Sequence, residues 1–388
     1  MSVNIAEARR AFEAHFDGPP EKGVRAPGRV NIIGEHTDYN GGFVLPMALE
    51  QETVILARRR SDRTLRAYAF NLDATAEARL ENRERQPDAP WLDYVIGVAE
   101  ELAKLDQPLT GADILIAGDV PIGCGLSSSA ALEMAALELF EELGGFRLHD
   151  ADGPRLGQRV ENDFLGLSSG IMDQFISRLG RAGHALFLDC RTLHYDLVPV
   201  AFPGALFVIA NTGVSRGLTA SKYNERVEQC QQAVAALNAA GKDGSQLRDF
   251  SLEALESVKG NMDNTVYRRA RHVITENIRT RDACGALQDG NPKRVGELMN
   301  SSDHSLRADY EVTSGELDAM TRIARSIRGC YGARMTGAGF GGCTINLVES
   351  GRAERFGQEL MHRYYEATGR EGALIISAPA DGAGALAL

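Results

Sequence analysis

The stretch GDVPIGCGLSSSAALEMA, residues 118–135, decides which class of fold the chain can have. Before it lies ADILIAG (112–118), an apolar run that reads as a strand. Out of it grows SSSAALEMAALELFEEL (127–143), a helical pattern that opens with serines able to cap it. A strand, a turn carrying Gly123 and Gly125, and a helix thus follow one another closely. Glycines let the backbone turn sharply and approach a ligand. The first amides of a helix lack partners and sit at the positive end of its dipole, which suits phosphate. Ser127, Ser128 and Ser129 add hydroxyls that can donate hydrogen bonds or meet Mg2+. A serine-capped helix after a tight turn fits the same residues. A Walker A loop is excluded, because no GxxxxGK[ST] occurs nearby, and a kinase glycine hairpin is excluded because a helix follows.

Working outward, Ile5, Ala8 and Phe12 share one helical face. Strand patterns are TVILARR (53–59), ALFLD (185–189), ALFVIAN (205–211), CTINLV (343–348) and ALIISA (373–378), with a helix pattern at about 153–165. Residues 221–309 read as mostly helical, with a break at 239–245, and the tail DGAGALAL is weakly specified. Mixed strands and helices without strict alternation predict an α+β fold rather than a doubly wound sheet. A length of 388 residues predicts two domains. The division is placed between residues 203 and 204.

Three more stretches carry polar groups in suggestive company. GRVNIIGEHTDYNGG (28–42) puts Glu35, His36, Thr37 and Asp38 in succession, with Arg29 just before them and apolar Val30, Ile32, Ile33 and Phe43 on either side. A solvated acidic turn explains the acids but not the apolar brackets; a loop anchored by core on both sides is what a rigid site needs. ENDFLGLSSGIMDQF (161–175) holds Glu161 and, in an otherwise apolar run, Asp173. A carboxylate there needs a partner, for which Arg29 is the candidate, and a structural ion pair or helix cap would satisfy it equally. MTGAGFGGCTINLV (335–348) sets Gly337, Gly339, Gly341 and Gly342 before a strand, as either a ligand-approaching loop or a bulged hairpin.

Together these motifs resemble the galactokinase family, within the superfamily of galactose, homoserine, mevalonate and phosphomevalonate kinases (GHMP kinases). GRVNIIGEHTDYNGG is similar to the galactokinase signature, GDVPIGCGLSSSAALE to the superfamily's ATP loop and MTGAGFGGC to its third motif. SGIMDQF and NTGVSRGLTASKYNERVEQC (211–230) also look like galactokinase segments, so the resemblance spans nearly the whole chain. It implies a two-domain α+β GHMP-kinase architecture with the active site in the interdomain cleft. It implies a catalytic Asp173 beside Arg29, and sugar contacts from Glu35, His36, Thr37, Asp38, Gly170 and Tyr223. The whole loop from Gly123 to Ser129, Cys124 and Leu126 included, would hold the ATP phosphates, and Ser129 and Glu161 would hold Mg2+. The implied partners are galactose and ATP, with the protein a monomer or weak dimer. Cys124 inside the phosphate loop and Ser169, where many relatives have Cys, depart from the pattern without removing a needed donor or acceptor. A kinase for a related sugar such as N-acetylgalactosamine or arabinose remains open, as does a non-catalytic galactose and ATP sensor; an intact GLSSSAA and Asp173 weigh against the sensor.

Composition limits the remaining possibilities. A net charge of −11 argues against non-specific nucleic-acid or anionic-membrane binding. The N-terminus has no apolar signal core, and the longest apolar runs fall far short of the ~20 residues that span a bilayer. The six scattered cysteines form no CxxC pair and read as reduced thiols. A cytoplasmic protein is expected.

Overall fold

A computed structural model of the chain describes residues 3–214 and 219–388. Residues 215–218, within the 211–230 segment quoted above, lie outside the described residues. The first half contains α1 (Ile5–Phe16), β1 (Lys22–Asn31), β2 (Phe43–Val44), β3 (Pro46–Arg59), β4 (Thr64–Ala69), β5 (Ala74–Arg79), α2 (Asp93–Lys104), β6 (Ala112–Gly118), α3 (Ser128–Gly144), α4 (Asp152–Arg159), α5 (Met172–Leu179), β7 (His184–Asp189) and β8 (Tyr195–Pro199). The second contains β9 (Ala205–Asn211), α6 (Thr219–Ala239), α7 (Leu252–Val258), α8 (Asn264–Gln288), α9 (Pro292–Ser305), α10 (Gly315–Ser326), β10 (Cys330–Met335), β11 (Cys343–Glu349), α11 (Ala353–Thr368), β12 (Ala373–Ile376) and β13 (Gly384–Leu386). This is the α+β mixture expected. Among the described residues, no helix is long and apolar enough to cross a membrane.

Strand order in the first sheet is β13-β1-β3-β6-β4-β5, all antiparallel except β4 with β6. A second sheet runs β10-β11-β9-β12 and a third β2-β7-β8. Helices α2 and α3 cover the first sheet with a wholly buried cluster that includes Ile55, Ile114, Leu137 and Phe140. Another cluster joins Val30, Ile32 and Ile33, at the end of β1, to Ile209 on β9 and Ile345 on β11. Apolar residues at the mouth of the acidic loop are therefore held by core from both halves of the chain.

Three local readings are corrected. The tail is not weakly specified: Gly23 pairs with Leu386 and Arg25 with Gly384, so the last strand closes the open edge of β1. The helix expected over 153–165 stops at Arg159 and continues as a π turn, Val160–Phe164. Ser127 does not cap α3; it sits in the left-handed region at φ 59°, and its hydroxyl turns to Asp173 instead.

The register of β1 against β3 shifts between Pro27 and Arg29, a bulge that re-aims Arg29. A comparable constraint governs α9 and β10. A Cβ on Gly296 would lie 2.4 Å from the Tyr331 backbone, and one on Gly332 would lie 2.3 Å from the Gly296 carbonyl oxygen. Helix propensity alone favours Gly296→Ala by about 1 kcal/mol, but overpacking against rigid backbone costs about 1–3 kcal/mol. Overlap wins: Gly296→Ala should unfold at lower temperature and lower urea concentration than wild type. An unchanged or raised melting temperature would contradict the close approach.

Candidate active site

Four segments converge on a cavity of about 430 Å3. Its wall includes Arg29, Glu35, His36, Asp38, Gly123, Gly125, Ser127, Ser128, Ser129, Glu161, Gly170, Asp173 and Tyr223, so most of the expected site residues meet in one place.

The glycine turn enters from β6. Gly123 and Gly125 have φ of 73° and 79°, values that favour glycine, and they bring the backbone round so that the first turn of α3 opens on the cavity. Cys124 and Leu126 do not line it. Leu126 is wholly buried among apolar residues, and its carbonyl accepts from Arg29 N at 2.9 Å. Cys124 Sγ accepts from Asn211 Nδ2 at 3.0 Å and packs beside the same cluster. Successive residues of the loop alternate between cavity and core, and these two are its anchors.

Arg29 is almost wholly buried, whereas the Asp173 side chain keeps 31% of its surface exposed. Nε donates to Oδ1 at 2.8 Å and Nη2 to Oδ2 at 2.7 Å, a bidentate pair. Nη1 donates to the Gly125 carbonyl at 2.5 Å, and the Ser127 hydroxyl also donates to Asp173. One guanidinium thus fixes the acid of α5 and the glycine turn in a common frame, with the acid facing the cavity.

The acidic loop divides its labour. Glu35 accepts from the Gly337 amide at 2.7 Å, the Thr336 hydroxyl at 3.2 Å and Asn31 Nδ2 at 3.0 Å. Its carboxylate therefore ties the acidic loop to the glycine cluster at 337–342 while still reaching the cavity wall. All four glycines of that cluster have positive φ, the backbone cause expected, in a loop between β10 and β11 rather than a bulged hairpin. Thr37 is wholly buried, with Oγ within reach of the Gly34 (2.9 Å) and Phe43 (2.7 Å) carbonyls; it shapes the loop and does not line the cavity. His36, at φ 64°, meets the Tyr39 hydroxyl through Nδ1 at 2.9 Å, and Tyr39 meets the Tyr310 hydroxyl at 2.7 Å. The Tyr223 ring lies 5.8 Å from His36 and 5.0 Å from Tyr39. Asp38 fills the space beside Gly170, where a Cβ would lie 1.7 Å from Asp38 Oδ2. Burial, then the negative charge of Asp173, pushes the Asp38 carboxyl up to about 7.

Glu161 occupies the π turn, a place where such bulges often serve a site. Ser129 Oγ donates to Glu161 Oε1 at 3.2 Å, so the two expected metal ligands are neighbours on the wall. Burial raises the Glu161 carboxyl above its ordinary range. Among the described residues no three acids, histidines or cysteines form a cation cage. A serine oxygen and a carboxylate beside a phosphate loop do fit Mg2+, which typically takes one or two carboxylates plus substrate phosphates.

Sequence reading missed the groups behind the loop. Glu276 on α8 accepts from the Gly34 amide at 3.1 Å and the Ser302 hydroxyl at 2.6 Å. Burial would raise it, yet Arg279, His272 and Arg334 together hold it down to about 2. Burial lowers His272 to about 4, so it is neutral near pH 7 and donates from Nε2 to the Glu35 carbonyl at 3.1 Å. These side chains come from segments more than 230 residues away, with no local pattern to announce them. Tyr94 on the wall was likewise missed.

Comparison with known proteins accords with this geometry. A family model described as the galactokinase galactose-binding signature matches residues 10–59; the GHMP kinase N-terminal and C-terminal domain models match 93–181 and 283–367. The galactokinase of Roseiflexus sp. is 43% identical over 98% of this chain and 97% of its own length. The chain belongs to the galactokinase family. As a member it is a sugar kinase, a phosphotransferase. Human galactokinase is 41% identical over 99% of this chain and 97% of its own length. The Lactococcus lactis galactokinase, solved with galactose, superposes with a TM-score of 0.94 at 37% identity, covering 98% of this chain and all of that one. Mevalonate kinase from Methanococcus jannaschii reaches a TM-score of 0.66 at 20% identity over 92% and 98% of the two chains, a likeness of fold alone.

The electrostatics of the acidic loop are directly measurable. In a carbon-13 carboxyl titration of the ligand-free galactokinase fold, Asp38 should titrate near pH 7. In Asp173→Asn the midpoint should fall, because the neighbouring charge that raises it is gone. A wild-type midpoint in the ordinary carboxylate range, near 4, would contradict the buried placement.

Proposed function

We propose that the chain transfers the γ-phosphoryl group of ATP to the anomeric hydroxyl of galactose, giving galactose 1-phosphate and ADP. The observation that carries the reading is a carboxylate, Asp173, clamped by Arg29 and facing one cavity with both a phosphate loop and an acidic hydroxyl-binding loop. Phosphoryl transfer leaves little covalent work to protein, so positioning and charge stabilisation dominate.

Each segment then has its part. Gly123 to Ser129 hold the ATP phosphates on loop amides and the positive end of α3, with Leu126 and Cys124 anchoring the loop from behind. Glu35, His36 and Asp38 receive sugar hydroxyls, for which carboxylates are strong acceptors. Tyr223 closes one side, and Gly170 leaves the room that Asp38 occupies. Asp173 accepts the proton of the C1 hydroxyl as its oxygen bonds to γ-phosphorus and the bond from that phosphorus to the leaving ADP oxygen breaks. Arg29 favours the ionised form of Asp173 and adds positive charge beside the transferring group. Ser129 and Glu161 would hold Mg2+, which would neutralise phosphate charge when bound. The division between residues 203 and 204 belongs to this reading: sugar loop, phosphate loop and Asp173 before it, third glycine motif after it.

ADP release measured over galactose, glucose, N-acetylgalactosamine and arabinose, with the product followed by phosphorus NMR, tests the proposal. A hydroxyl inverted at C4 leaves a charged acceptor without its hydrogen bond, about 1.5–3 kcal/mol. Glucose should therefore trail galactose by about one to two decades in kcat/KM. Gly170→Ala, which displaces Asp38, should raise KM for galactose and leave KM for ATP nearly unchanged. Equal use of the two hexoses, or a Gly170→Ala defect confined to ATP, would overturn the assignment of the acidic loop.

A further inference from the structure

Beneath the cavity lies a polar pair, Glu133 and Gln174, that does not line it. Both are wholly buried, at 0% exposure, and meet Met134 at the face of Gly157. Burying a carboxyl and an amide is costly unless they are bonded, and apolar residues of similar size would fill the space. Their hydrogen bonds point in one direction. Gln174 Nε2 has two hydrogens; it donates to Glu133 Oε2 at 3.1 Å and to Glu161 Oε2 at 3.1 Å. The other oxygen of Glu161 accepts from Ser129 at 3.2 Å. Ser129 and Glu133 lie four residues apart on α3, one turn, and so share a face. Glu161 is thereby bracketed, with Oε1 met by Ser129 and Oε2 by an amide that Glu133 holds in place. Packing leaves little slack, since a Cβ on Gly157 would lie 2.8 Å from Gln174 Cγ and 3.1 Å from Glu133 Oε2. Gln174 also follows Asp173 directly on α5.

We infer that Gln174, held by Glu133, is a positioning residue that fixes the Glu161 carboxylate for Mg2+ and locks it to the helix bearing Asp173. The inference rests on the metal assignment made above for Ser129 and Glu161. Neither residue touches the reacting atoms. Partners of this kind orient a ligand that would otherwise rotate, and their loss typically weakens metal binding about 10–100-fold.

The test uses Mn2+ as probe, with free metal read by EPR against the full-length protein and a non-hydrolysable ATP analogue. Gln174→Met, close in volume but without donors, should weaken Mn2+ binding by at least about tenfold. Galactose affinity, measured by calorimetry, should stay close to wild type, which a general loss of structure would not allow. Glu133→Gln keeps an acceptor oxygen for the amide and should restore most of the metal affinity lost in Glu133→Leu. Glu161→Gln is the control that separates the two claims. If it leaves Mn2+ binding unchanged, the metal assignment itself fails. If it weakens binding while folded Gln174→Met does not, the ligand stands and the clamp is merely structural. Should Gln174→Met fail to fold, the Glu133→Leu and Glu133→Gln pair decides, and equal affinity in those two variants overturns the inference.

Discussion

The Arg29 guanidinium is the constraint on which the site depends. It is buried, so its charge must be paired, and its planar fork allows two bonds to Asp173 and a third to the Gly125 carbonyl. Those bonds join β1, the glycine turn and α5, three elements distant in sequence. The bulge at Pro27–Arg29 aims the side chain, and the amide of the same residue binds the Leu126 carbonyl. Asp173 alone of the pair stays partly open to the cavity, which keeps it an available acceptor instead of a sealed structural ion. Of the two bland readings of Asp173, the ion pair is true of the structure and the helix cap is not, since α5 is capped at Ile171 with no side-chain cap bond; the pair supplies the geometry that the proposed chemistry uses.

A second layer of buried charge supports the acidic loop. Arg334, wholly buried, donates from Nη1 to the carbonyls of Asn31 and Ile32 at 3.2 and 3.1 Å and stands 3.5 Å from Glu35 Oε1. With Glu276 on the Gly34 amide and His272 on the Glu35 carbonyl, several polar backbone groups at the loop's entry are fixed from the second half of the chain, while Leu45 holds the Ile32 amide and the Ile33 carbonyl. Such a network is costly to bury and loses much if one member is removed. What it provides is position: Asp38 remains beside Gly170 and near Asp173 despite the mutual repulsion that raises its pKa.

Legibility in the sequence followed how local each cause was. ADILIAG and ALFVIAN coincide with β6 and β9, and the serine-led pattern with α3 to within a residue, because apolar periodicity and a glycine break settle them. Strand β13 was not legible: three residues, Gly384, Ala385 and Leu386, are too few to carry a period, and the open edge of β1 selects them. Serines before a helix signal a cap, but a distant carboxylate claimed the Ser127 hydroxyl. Motif spacing brought Thr37, Cys124 and Leu126 in with their neighbours, while the fold turns them toward core and backbone. Only Glu133 had an overlooked local signal, an acid inside the apolar run AALEMAA.

The central claim is that Asp173 acts on the reacting hydroxyl and does not merely hold the site together. Asp173→Asn keeps the shape and part of the hydrogen bonding while removing the base, so binding and chemistry separate. Galactose and nucleotide affinities are measured by calorimetry, and the transfer step by single-turnover quench. Both ligands should bind within a few-fold of wild type while transfer falls by about 10²–10⁴. Transfer at more than a third of the wild-type rate, or a loss lying wholly in ligand binding, would contradict the account.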